Sequence, residues 1–483
     1  MIALLPTPKK YETLDEGLHA VLPTLFCAVA DWTDVAEMLV GSVEKIFSVR
    51  LTKVDCDAAG IRILKNPSLA ENAYTLDSSN GCLTLSASSR EGISYAVASA
   101  LLLLQGKDGA LALQALSIED YPEKDYRAFM VDMGIVWHPF DKLLKYVDLC
   151  FLYKIKYLHL HVADNDIYCL PSRAFPKLNE AGKCYTYDEI AALNRYARAR
   201  GVVLIPEFEC PGHAVILNRH YPEVFGNHAE GELGKFYNEL GAEMDTRSLI
   251  CAGSERSFEG VKTLIGEMAE LFPESPYIHI GGDEASHKWW DQCRDCRAYM
   301  QANNIPDTHA LYGEYVGRVA NYVLSLGRTP IVWEGFSKDS AHYVPKETVV
   351  IAWESHYQLP HELLENGFQI VNASWQPTYF VTSLRRRWTP EDLMNWNVYN
   401  WQHWWPKSAA TEHPIQLDPT EDVLGASLCS WGLTYEWHIT RLLENFPAFA
   451  ERTWTTERKL SNDDYRNTYR KIEGKAPTLI GDR

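Results

Sequence analysis

The feature that most constrains the fold is an alternation that begins near residue 125: short apolar segments, each ending in polar residues, are separated by stretches with amphipathic helical spacing. The segments run from Arg127 to Asp132, Tyr157 to Asp164, Val202 to Glu209, Tyr277 to Asp283, Pro330 to Glu334, Val349 to Glu354, Gln369 to Ser374 and Val423 to Trp431. Apolar strands joined by helices make a parallel sheet, and eight is the number that closes one into a (β/α)8 TIM barrel. Leu143, Leu144, Val147 and Phe151 form an apolar helical stripe between the first two segments, and Tyr187 to Ala199 and Phe258 to Leu271 do similar work later. The tryptophan-rich stretch from Pro377 to Pro414 reads as a long connection of the kind on which barrels build binding surfaces.

Upstream, alternating segments at Tyr74 to Leu76 and Cys82 to Ser86, an apolar helix from Glu91 to Leu104 and a strand near Leu111 to Ile118 predict a small α+β domain. The polar, proline-containing stretch Asp120-Tyr121-Pro122-Glu123-Lys124 marks its end. The expected division is therefore an α+β domain at 1–122 and a barrel with a C-terminal helical segment at 123–483. A net charge of −18 argues against a nucleic-acid partner, and the longest apolar stretch, Val97 to Leu104, is far too short for a membrane span. Met1 to Lys10 lacks a basic start followed by a long apolar core. The eleven scattered cysteines read as free thiols, so the expected location is cytoplasmic. Cys293 and Cys296 form a CxxC with no second such pair to complete a zinc site; beside Trp289 and Trp290 they read as one helical turn facing a core.

In a parallel barrel the reactive groups project from the C-terminal ends of the strands. Those ends supply Asp164, Glu207, Glu209, His213, Asp283, Glu284, Glu334 and Glu354, with Trp333, Trp353, Trp375 and Trp431 beside them. Indole faces stack on the apolar face of a pyranose, and carboxyl groups protonate a leaving oxygen and steady a cationic transition state, so the combination suits sugar chemistry. Packing alone accounts for one tryptophan; four at strand ends point to a ligand. The most informative stretch is Tyr277-Ile278-His279-Ile280-Gly281-Gly282-Asp283-Glu284, where paired glycines let the backbone turn tightly before two adjacent acids. Carboxyl groups that straddle a glycosidic bond at roughly 5 Å usually come from different strands. Adjacent acids therefore imply divided tasks: the substrate's own acetamide oxygen serves as nucleophile, Asp283 holds and polarises the acetamide nitrogen, and Glu284 acts as general acid and then base. Taken alone, the pair also fits a helix N-cap followed by a first-turn glutamate.

His279-Ile280-Gly281-Gly282-Asp283-Glu284 resembles the signature of glycoside hydrolase family 20, the β-hexosaminidases. His161-Val162-Ala163-Asp164 is similar to the family's His-Leu-Thr-Asp, and Glu207-Phe208-Glu209-Cys210-Pro211-Gly212-His213 to its Glu-x-Asp-x-Pro-Gly-His, with the matches in family order over nearly the whole chain. The resemblance implies a retaining exo-β-N-acetylhexosaminidase that releases terminal β-linked GlcNAc or GalNAc through an oxazoline, with Asp164 and His213 as a relay behind Glu284. It implies that Arg127 grips the O3 and O4 hydroxyls and that Tyr379 bonds the acetamide carbonyl. Trp333, Trp353, Trp401 and Trp431 would wall the pocket, with His161 and Glu207 adding to substrate binding. No metal or cofactor is implied; the partner is a terminal acetamido sugar of an oligosaccharide or glycoconjugate, and a homodimer is one assembly open to the chain.

Departures from the family pattern cluster on the hydroxyl contacts. The acids that normally touch O4 or O6 are replaced by Val381 and Leu433, a second arginine is replaced by Ile135, and the usual Asp-Asp-Gln reads Asp164-Asn165-Asp166. Losing hydroxyl-binding groups weakens rejection of altered sugars. Arg385-Arg386-Arg387 reads as a solvated loop. Two rival readings remain: a metal-dependent TIM-barrel amidohydrolase built on His159, His161, His213 and His279, and a non-catalytic glycan-binding homologue. The first wants a terminal aspartate and bridging lysine that no later strand end supplies; the second has no need for Asp283, Glu284, Asp164 and His213 together.

Overall fold

The computed structural model describes residues 2–79, 81–227, 236–237, 243–244, 248–381 and 387–482. Eight parallel strands close into a barrel: β1 (Tyr126–Asp132), β2 (Tyr157–His161), β3 (Val203–Cys210), β4 (Tyr277–Gly281), β5 (Thr329–Trp333), β6 (Val349–Ala352), β7 (Gln369–Asn372) and β8 (Val423–Trp431). β8 pairs with both β7 and β1, which completes the closure. β1 and β2 are buried at every position, as expected of strands covered by helices outside and by side chains inside. Met130, Ile205, Ile331, Trp333, Ile351 and Val371 belong to the core cluster that fills the barrel. The helix Phe140–Leu152 buries Leu143, Val147 and Phe151, the predicted stripe, and Thr186 and Glu189 cap the helix Tyr187–Ala199 reciprocally.

The connection between β7 and β8 is more ordered than the sequence suggested. It contributes a short strand, Tyr379–Val381, that pairs in parallel with β8 at Cys429–Trp431, and a small ladder between Asn400–Trp401 and Ile415–Gln416. Of the arginine run, Arg385 and Arg386 lie outside the described residues, and Arg387 sits over the ring of exposed Trp437.

The first sheet lies within Lys10–Asp120, with the helices Thr33–Phe47 and Arg90–Leu103. Its longest pairing, Lys10–Leu22 against Ala110–Asp120, was predicted on one side only. Cys27 and Cys56 are joined as a disulfide, which corrects the reading of all eleven cysteines as free; the strand Leu25–Ala28 and the turn at Cys56–Ala58 bring their Cα atoms to 5.2 Å. Among the described residues no helix is long and apolar enough to cross a membrane.

Arg127 requires a second correction. It stands at the N-terminal end of β1, opposite the barrel mouth, and is fully buried. Its guanidinium donates to the carbonyls of Lys154 (3.1 Å), Lys124 and Asp125 and to the Tyr95 hydroxyl, and lies over Trp454. It ties the barrel floor to the first domain and does not reach a sugar. Beside it, buried Lys154 donates to Tyr74 (2.9 Å) and lies 3.5 Å from Asp120, which also accepts from Tyr74 (2.7 Å) and the Trp454 indole (3.0 Å).

Candidate active site

Strand register places Asp132, His161, Glu207 and His279 side by side across β1 to β4. Asp132 accepts the N–H groups of Gly134 and Ile135 (both 2.9 Å) and of Gly432 (2.8 Å), stitching the loops after β1 and β8, and holds His161 at 3.0 Å. Glu207 is fully buried, 2.9 Å from both His159 and His279, and accepts the Trp333 indole N–H at 2.5 Å. Burial alone would raise its pKa, but the three imidazoles around it hold the carboxyl well below the usual range.

This polar layer is the floor of the pocket, not its wall. Glu207, His159, His279 and Trp333 do not line the cavity above. His159, His279 and Glu207 bring ligand atoms close enough to share an ion, yet a hydrolytic metal needs a position open to substrate, and this group is closed. Glu209, His213 and Asp283 also converge, but both imidazole nitrogens of His213 face carboxylates.

Above the floor lies a cavity of about 240 Å³, below the roughly 300–1,000 Å³ of typical ligand pockets and suited to a single small unit. One half is acidic. β4 exits through Gly281 and Gly282 at φ +69° and +93°; a Cβ on Gly281 would lie 2.1 Å from Glu209 Oε2, so only glycine lets that carboxyl approach. Glu284 and His213 themselves adopt left-handed backbone, φ +45° and +50°, a conformation that costs about 1–3 kcal/mol for a non-glycine residue. Asp164 Oδ1 lies 3.2 Å from His213 Nδ1, and His213 Nε2 lies 3.5 Å from Glu284 Oε2. Burial would lower the His213 pKa; Asp164 and Glu284 outweigh it and hold the imidazole well above its ordinary value. Asp283 is pushed up to about 7, mainly by burial, with His213 opposing and Glu284 and Glu207 adding. Glu209 is likewise raised by burial and by Asp283.

The other half is aromatic. Tyr379 stacks on Trp375 at 4.6 Å and nearly parallel to Trp353 at 6.1 Å, and Trp431 packs edge-on against His161 at 4.7 Å. The short strand beside β8 carries Tyr379 to this position. Buried polar atoms normally have partners. Here Asp283 Oδ1, the Tyr379 hydroxyl and the indole nitrogens of Trp375 and Trp431 have no well-formed hydrogen bond among the described residues.

The cavity thus gathers the predicted Asp164, His213, Asp283, Glu284, His161, Tyr379, Trp353 and Trp431. Trp401 is buried behind it, donating to the Ala352 carbonyl at 3.0 Å, and Trp333 lies beneath it. Glu334 accepts the N–H groups of Ser355, His356 and Tyr357 and shapes the loop after β6. Sequence reasoning gave no role to Glu209 and Trp375, although both stood at strand ends, and passed over Asp132. Ile135 and Val381 line the cavity where charged contacts were expected, and Leu433 is buried.

A parallel barrel with a carboxyl–imidazole–carboxyl chain and an aromatic box at its mouth has the build of a glycoside hydrolase. Residues 125–457 match the catalytic domain of glycosyl hydrolase family 20, and residues 1–121 match domain 2 of that family. The chain belongs to glycosyl hydrolase family 20. It is 25% identical to a beta-hexosaminidase of Vibrio furnissii over 415 residues, 81% of this chain and 66% of that protein. It is 23% identical to a beta-hexosaminidase of Porphyromonas gingivalis over 98% of this chain and 62% of that one. The chain therefore spans just under two thirds of the length of these relatives. In fold it is similar to a family 20 exo beta-N-acetylglucosaminidase of Vibrio harveyi, with a TM-score of 0.82 and 22% identity over 99% of this chain and 77% of the other.

Proposed function

We propose that this protein is a retaining exo-β-N-acetylhexosaminidase acting by substrate assistance on terminal β-linked GlcNAc or GalNAc. The observation that carries the reading is the pair of unpartnered atoms in the cavity: an acceptor, Asp283 Oδ1, and a donor, the Tyr379 hydroxyl. A secondary amide has one N–H and one C=O, so an acetamide satisfies both at once, with its methyl among Trp353, Trp375 and Trp431. Asp283, accepting the N–H, makes the carbonyl oxygen a better nucleophile toward C1, while Tyr379 fixes its direction. Glu284 protonates the leaving oxygen and then takes a proton from the water that opens the oxazoline, so two displacements at C1 give net retention. Protonated His213, backed by Asp164, steadies Glu284 once it has given up its proton.

Aryl β-GlcNAc and β-GalNAc should be hydrolysed with the β-anomer appearing first by NMR, and a thiazoline mimic of the intermediate should inhibit competitively. First appearance of the α-anomer, or failure of the thiazoline to bind, overturns the proposal.

A further inference from the structure

The CxxC beside the active-site loop is not a lone pair of core cysteines. Cys251, 42 residues earlier, places its sulfur 3.6 Å from that of Cys293 and 3.7 Å from that of Cys296. All three residues are without solvent exposure, and their ligand atoms lie within 4.8 Å of one another. Thiolates bound tetrahedrally at about 2.3 Å from a zinc ion stand about 3.8 Å apart, so these sulfurs already have the spacing of a shared ion. A disulfide needs about 2.05 Å and joins only two sulfurs, which leaves an odd thiol however they pair.

The framework around the sulfurs is built tightly. Cys293 immediately precedes the helix Arg294–Ala302 and Cys296 lies in its first turn, so the i, i+3 spacing turns both sulfurs to one side, where the helix N-terminus favours negative charge. Gly253 lets the other segment close in: a Cβ there would fall 2.5 Å from the Cα of Cys296 and 2.4 Å from the carbonyl oxygen of Asp295. The Trp290 indole donates to the Ile250 carbonyl at 2.9 Å, fixing the residue next to Cys251.

We propose that Cys251, Cys293 and Cys296 form a structural site for a thiophilic d10 cation, zinc in the first place, with a non-protein donor in the fourth position. Binding releases the thiol protons and leaves three thiolates around one dication. The ion would join two loops that carry the reaction. Ile250 donates to the Pro211 carbonyl, two residues before His213, while the segment bearing Cys293 and Cys296 follows Asp283 and Glu284. The site would therefore act as a positioning element for the His213–Glu284 contact and take no part in bond breaking.

The test uses the whole chain, reduced, stripped with a strong chelator and titrated with zinc or cobalt. About one zinc per chain by elemental analysis is expected, and cobalt should give the intense visible bands and near-ultraviolet thiolate charge transfer of a tetrahedral sulfur site. Cys251→Ser and Cys296→Ser should lose both signals, while Cys184→Ser, outside the cluster, should keep them. If the cluster variants fold poorly, the wild-type cobalt spectrum alone decides. Absence of thiolate charge transfer in the wild type overturns the site. A Cys251–Cys293 or Cys251–Cys296 disulfide in protein purified without reductant, with no cobalt signal after reduction, also overturns it. Neither readout depends on sugar hydrolysis.

Discussion

Two buried groups of charge sit at opposite ends of the same barrel and are finished differently. At the floor, Lys154, Asp120, Tyr74, Arg127 and Trp454 hydrogen-bond or stack on one another. At the mouth, Asp283 Oδ1, the Tyr379 hydroxyl and two indole N–H groups are just as far from water but have no such partners. Leaving a buried polar group unpaired costs about 1–3 kcal/mol. The floor spends its charges on holding two domains together; the mouth keeps its own for a ligand.

The comparison can be broken most forcefully at Glu284. Glu284→Gln should cut kcat/KM on substrates with poor leaving groups by about 10⁴-fold, roughly 5 kcal/mol, while urea unfolding hardly changes; a small kinetic loss would remove Glu284 from the reaction. Next comes Asp120→Asn at the floor. Removing one partner of a buried ion pair costs about 3–5 kcal/mol, so its unfolding midpoint should drop sharply while the remaining folded enzyme keeps its wild-type kcat.

Asp283→Asn should do the reverse, losing activity while gaining stability. The Asp283 pKa is raised from 3.8 to about 7 in the folded state, so its contribution to stability is fully present below about 3.8 and is lost as pH rises through 7. Asparagine carries no charge to bury, so the variant should be more stable by roughly 2–4 kcal/mol at pH 8 and no more stable than wild type at pH 4. Equal stability at pH 8 would show that the mouth is not strained in this way.

A subtler probe follows from His213, whose charge lowers the Asp283 pKa. Asp283 must be ionised to accept the acetamide N–H, so kcat/KM should fall as pH drops through about 7. In His213→Gln that fall should begin about one unit higher; a shift to lower pH would contradict the arrangement. Smallest of all, with Ile135 and Val381 lining the cavity, β-GlcNAc and β-GalNAc substrates should differ in kcat/KM by less than about tenfold, or about 1.4 kcal/mol.

The barrel was legible in the sequence because its strands, buried on both faces, are continuous apolar runs such as Val349–Ala352. Asp283, Glu284, Asp164 and His213 were legible because local motifs carry them at strand ends. Arg127 was misread through likeness of motif. Its place at the start of β1 was the better guide, since that end of a barrel serves stability and the other end serves chemistry. Trp401 and Trp333 lie near the pocket in sequence, but packing decides which indoles face a cavity. The meeting of Cys251 with Cys293, and of Cys27 with Cys56, depends on loops whose approach no local pattern encodes.

Left-handed backbone at Glu284 and His213 sets the direction in which this lineage would drift if hydrolysis ceased to matter. Glycine at either position would relieve the conformational cost, so inheritance without selection for turnover would favour sturdier, inert descendants. That the chain still places a glutamate and a histidine there marks both as residues kept against the preference of folding.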